Sequence, residues 1–186
     1  MNTMKINIKL AGIRPLMFDR YPGDNNTTLP VAEKMYLDSD LKLCIPTVNL
    51  YSLLSAENTK SVCRQFFGKN GKTIGLGINS YTFIDAIAVP LTDDDGKVIV
   101  FDQFGEPGKS RFWIDKRDAR LKNGVPNHKE RPVLNLPWNL EFAMFYSENE
   151  LCTLENLRQA FQMGGILGIG TFRPMFGRYE LIKFEI

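Results

Sequence analysis

The 186-residue sequence holds one histidine, three cysteines and almost no net charge, +2 at neutral pH. Each scarcity argues against a class of function. Cys44, Cys63 and Cys152 are odd in number, far apart and in no C-x-x-C spacing. That speaks against a disulfide scaffold or a thiolate zinc site and fits a reducing cytosol. His128 alone would have to serve any Ser-His-Asp or Cys-His relay, and no G-x-S-x-G elbow accompanies it. No apolar run approaches the roughly 20 residues that span a bilayer, and residues 1–4 carry no apolar signal-type core. A soluble, cytoplasmic chain with no membrane partner, cofactor or metal is expected. With so little net charge, any anion-binding surface has to be local.

What is present is an ordinary globular composition, 44% hydrophobic and 24% charged, enough for one sizeable core. A single domain over 1–186 is expected. Met4, Ile6, Ile8 and Leu10 alternate with Lys5, Asn7 and Lys9, the period of a half-buried strand. A polar loop, Asp19 to Leu29, follows. Lys34–Tyr36 and Leu41–Ile45 read as a short hairpin. Thr47 is a candidate N-cap for a helical pattern running, with a break at Ala56–Asn58, to Gly68. Lys69–Lys72 reads as a turn, and Thr82–Val89 and Lys97–Phe101 read as strands joined at Asp93-Asp94-Asp95-Gly96. From Asp102 to Pro137 the pattern is irregular, and this stretch is expected to be an insertion. Trp138–Tyr146 alternates strictly, Thr153 caps a helix with Leu154, Leu157, Ala160 and Phe161 inward, and Tyr179–Ile186 closes as a strand. The order predicts an α+β fold of ferredoxin-like (RRM-like) βαββαβ plan, carrying a basic irregular insertion and a C-terminal glycine-rich loop.

Two segments carry the functional signal. Five glycines fall in the 14 residues from Gly164 to Gly177, between the last helix and the last strand. Such a loop either lets a foreign backbone or phosphate approach closely or closes the helix tightly onto the sheet, and glycine content does not separate the two. Its distal end holds Phe172, Arg173, Phe176, Arg178 and Tyr179. Between Lys109 and Arg131, eight basic residues stand against three acidic ones, an excess of five, interleaved with Phe112 and Trp113. Such a run either tracks a phosphate backbone or forms a solvated hairpin.

Enzymatic signals are thin. Gly164–Gly170 reads G-G-x-x-G-x-G after a helix and lacks the Lys-Ser/Thr step, so it is neither a phosphate-binding P-loop nor a dinucleotide fingerprint. Asp93–Gly96 lacks the downstream glutamate of a calcium loop and reads as a turn. His128 as a general acid or base, and Asp19 or Asp24 as metal-assisting carboxylates, are the remaining candidates for an RNA-cleaving activity.

The strand Met4–Leu10, the Ile45-Pro46 step into a helix, the basic insertion and the last helix delivering Gly164-Gly165-x-x-Gly168-x-Gly170 into a closing strand together resemble the RAMP superfamily. These are ferredoxin-like RNA-binding proteins of CRISPR effector complexes. The later half, through Phe172-Arg173-Pro174-Met175-Phe176-Gly177-Arg178-Tyr179, also resembles small proteins of phages and mobile elements that bring no assigned activity. The first resemblance implies a part in antiviral defence. The glycine-rich loop and a protruding thumb, here 102–137, would then hold guide RNA, in a homo-oligomer or multisubunit complex. In that reading Gly165, Gly168 and Gly170 admit the strand, Arg173 and Arg178 contact phosphates, and Phe172 or Phe176 stacks on a base. Lys116, Arg117, Arg120 and Lys122 grip the strand from the insertion. Phe172 and Phe176 as core residues, an endoribonuclease, and a structural protein of a mobile element are the alternatives.

Overall fold

The computed structural model describes residues 2–24, 26–55, 59–120 and 126–186. Strand β1 (Thr3–Gly12) buries Ile6, Ile8 and Leu10 completely and turns Lys5 to solvent, as its alternation requires. A two-residue strand β2 (Leu16–Met17), a 3-10 turn at Ala32–Lys34 and strand β3 (Cys44–Pro46) lead into α1 (Thr47–Leu54) and α2 (Val62–Phe66). The pause in the apolar pattern therefore separates two short helices. Next come α3 (Gly71–Tyr81), β4 (Thr82–Ile84), β5 (Ala88–Thr92), β6 (Phe112–Arg120) and β7 (Pro126–Leu134). The chain ends with β8 (Asn139–Ser147), α4 (Leu154–Leu167) and β9 (Tyr179–Glu185).

This is an α+β fold with two antiparallel sheets. The larger runs β3-β5-β8-β1-β9, with β4 also on β8. Its register is pinned by Ile6 opposite Met144, Ile8 opposite Phe142 and Leu10 opposite Leu140, so every core side chain of both strands lies on one face. The helices cover that face. Thr153 and Asn156 form a reciprocal capping box that starts α4. Leu157, Ala160 and Phe161 of α4 are buried, and Phe161 packs against Phe142 and Phe184 at 6.1 and 6.4 Å between ring centroids. The smaller sheet, β2-β7-β6, is a long hairpin with β2 on its flank. Phe112 and Leu134 at its base are part of the main core. No helix among the described residues is long and apolar enough to cross a membrane.

Several expectations need correction. The stretch expected to be irregular contains an antiparallel hairpin of nine residues per strand, paired from Phe112 with Leu134 to Arg120 with Pro126. Charges on both faces hide its alternation, because ion pairs hold its outer half together. Helix α3 begins inside the expected Lys69–Lys72 turn: three glycines in 11 residues lower its propensity, while buried Ile74 and Ile78 hold it to the core. At Gly77 a Cβ would lie 2.6 Å from Cys152 Cβ, so close helix packing demands glycine there. Thr47 is not an N-cap; its hydroxyl donates to the Ile87 carbonyl across to the sheet. Lys97–Phe101 makes only isolated bridges, Val98 to Thr92 and Val100 to Lys42. The expected hairpin at Lys34–Ile45 is reduced to a Leu37–Leu43 bridge ahead of β3.

Candidate nucleic-acid interface

Past the end of α4 the chain reverses through Gly168 (φ 83°) and Gly170 (φ 81°), a conformation side-chain-bearing residues rarely adopt. The space a Cβ would fill is taken by this chain's own backbone: a Cβ at Gly168 would lie 2.7 Å from the Phe176 carbonyl oxygen and one at Gly170 2.4 Å from that of Met17. A Cβ at Gly165, inside α4, would collide with the Tyr179 carbonyl oxygen. Backbone bonds stitch the segment to the β2 region: Thr171 N–H donates to Met17 at 3.0 Å and Gly177 N–H to Pro15 at 2.7 Å. The glycines thus close the loop onto the fold, and Gly170 alone of these three is exposed.

That closure fixes Phe172. It is a non-glycine residue at φ 56° and 38% exposed. The Arg117 guanidinium lies 4.7 Å from its ring centroid and that of Arg131 5.2 Å. Arg117 is itself held by a bidentate pair to buried Asp115, Nε at 2.5 Å and Nη2 at 2.6 Å, which raises its pKa further. Phe176 is buried in a small cluster with Met17 and Val133, so of the two phenylalanines it is the core residue.

Strand alternation places Asp115, Arg117 and Arg131 on the hairpin face toward this loop, and Lys116 and Glu130 on the opposite face. Lys116 is exposed and bridges Glu130 at 2.8 Å, which lowers the Glu130 pKa. Arg120 is placed only as the last residue of β6, and Lys122 lies outside the described residues. Arg173 donates from Nη1 to the Gly168 carbonyl at 3.3 Å, and partial burial lowers its pKa. Arg178 holds Ile13 and Arg14 through its carbonyl, while its buried Nε has no partner among the described residues. The structure therefore gathers Arg117, Gly170, Phe172 and Arg173 on one side of the molecule and separates Lys116 from them.

Three residues not singled out from the sequence join this group. Arg131, 7% exposed, bonds Asp19 through Nε at 2.7 Å. With Lys60 and Thr171 it lines an open groove beside Gly170, Phe172 and Arg173. A register placing Arg131 opposite Asp115 would have pointed to it; nothing local in the sequence marks Lys60.

The cleavage candidates are engaged elsewhere. Asp24 accepts from the Asn26 and Thr27 amides and the Thr27 hydroxyl, all at 2.7 Å. The Thr27 hydroxyl bond, then the two amides, lower its pKa. His128 and Asp118 pair at 2.5 Å on the exposed hairpin face opposite Phe172. Among the described residues no three His, Cys, Asp or Glu side chains are grouped to hold a metal. Burial pushes the Cys63 thiol up to about 11 and that of Cys152 up to about 12.

No known family and no curated protein matches the sequence. Among solved structures, a chain of the cryo-EM structure of the Type III-B Cmr-beta bound to cognate target RNA superposes with a TM-score of 0.61 at 11% identity. The match covers 98% of this chain and 60% of that one, so this chain spans three-fifths of its neighbour's length. At that identity the likeness speaks for the fold alone.

Proposed function

Starting from a fold shared with a chain of an RNA-bound CRISPR assembly, we propose that this protein is a non-catalytic, RNA-binding subunit of a CRISPR-like ribonucleoprotein complex. In this reading β1, β4/β5, β8 and β9 with the intervening helices form a ferredoxin-like core in one domain. The 102–137 segment is its thumb, and copies assemble along a single strand in the cytoplasm. The strand lies between the β6–β7 hairpin and the Gly168–Arg178 loop.

The observation that carries the reading is Phe172. A partly exposed aromatic in a left-handed backbone conformation, with two guanidiniums against its ring, is an unusual use of stability. A base-stacking platform flanked by phosphate-seeking cations accounts for it. Arg117 and Arg173 supply charge beside it, with Lys116, Arg120, Lys122 and Arg178 as outlying contacts. The carboxylates of Asp24 and Asp19 serve turn and ion-pair roles, which favours binding over cleavage.

Purification at low and high salt, followed by the 260/280 nm absorbance ratio and extraction of bound polymer, tests the proposal. Co-purifying RNA that salt strips away is the expected result. Protein free of nucleic acid at low salt that also fails to bind a labelled oligoribonucleotide would overturn it.

A further inference from the structure

Resting on that reading, we propose that Arg131, Lys60 and Arg173 form a discrete subsite for one phosphate group, at the groove they line with Gly170 and Thr171. Arg131 is 93% inaccessible, yet its Nη1 has no hydrogen-bond partner among the described residues. A buried guanidinium nitrogen without an acceptor is costly, and a phosphate oxygen is the acceptor whose fork geometry suits it. Asp19 takes only Nε, so it orients the guanidinium and leaves the far edge for a ligand.

Arg173 reaches the same groove from the loop and donates from Nη1 to the Gly168 carbonyl at 3.3 Å. Lys60 closes the third side. Asp19 offsets part of the charge through Arg131 Nε, and Nη1 remains as the donor without an acceptor among the described residues. The Phe172 ring covers the Arg131 guanidinium at 5.2 Å. The groove is open to solvent on the loop side, and Gly170 leaves its rim without a side chain.

Two ligands separate this subsite from the wider reading: inorganic phosphate, followed by calorimetry, and a ten-residue oligoribonucleotide, titrated at several salt concentrations. The variants are Arg173→Gln and Arg131→Lys; the second keeps a cation for Asp19 and removes Nη1. Thermal unfolding establishes that each is folded. The expected result is loss of measurable phosphate binding in both variants. Oligoribonucleotide affinity falls about tenfold in each variant, and the salt slope falls by about one in Arg173→Gln, which alone removes a charge. Folded variants that bind both ligands like the parent would overturn the subsite and leave RNA binding standing. Phosphate binding that both variants abolish, with no oligoribonucleotide binding by the parent, would support the subsite and overturn the RNA reading. A parent that binds neither ligand overturns both.

Discussion

Phe172 is the residue at which stability and function pull apart. Its left-handed backbone costs about 1–2 kcal/mol, and its ring, only partly covered, returns little burial. Glycine accepts φ 56° without strain, so Phe172→Gly is expected to leave the thermal midpoint unchanged or raise it. The same change removes one stacked base, which lowers oligonucleotide affinity by about 1–3 kcal/mol. Thermal melts and fluorescence anisotropy on one preparation read both effects. A drop in midpoint with unchanged affinity would make Phe172 a plug between loop and hairpin and remove it from the binding surface. Gly170 behaves oppositely: any side chain there meets the Met17 carbonyl, so its role is closure of the fold whatever binds alongside.

Among elements, the hairpin and the glycine-rich loop are far apart in sequence yet meet through Arg117, Phe172 and Met175. If they act as one unit, the single variants Arg117→Ala and Phe172→Ala are non-additive. Cation–π contact at this exposure implies a coupling of about 0.5–1 kcal/mol in a double-mutant cycle read by chemical denaturation. A coupling of zero would mean that loop and hairpin merely lie side by side. These are also the elements at which the sequence was hardest to read. Strands β1 and β8 were legible because one face is wholly apolar, and α4 because Thr153 and its inner stripe agree. In β6 and β7 the loop-facing row of Asp115, Arg117 and Arg131 is as polar as the outer row of Lys116, Asp118 and His128, so no period of two survives. Helix α3 was illegible because glycines packed closely against Cys63, Ser55 and Cys152 suppress the propensity signal. At the site, Arg173 and Phe172 were legible from composition of the loop. Arg131 and Lys60 were not, since their role comes from tertiary juxtaposition with a loop far along the chain.

For the molecule as a whole, a net charge of +2 makes general attraction to polyanions weak, so affinity has to come from one patch repeated along a strand. Each copy would then cover a fixed length, and the number bound should rise in steps as the oligoribonucleotide is lengthened. Light scattering after size exclusion on strands of about 10, 20, 30 and 40 nucleotides measures this directly. Because the strand holds the copies together, nuclease digestion is expected to return the protein to its smallest species. The assembly-protein alternative makes the reverse demand: subunit contacts alone sustain the oligomer, and its size ignores both strand length and nuclease. The Arg131 Nη1, unpartnered among the described residues, and the partly exposed Phe172 give the first expectation a chemical reason, since a strand offers an acceptor to one and a base to the other. An oligomer of fixed size after nuclease treatment would place those two features at a protein–protein contact.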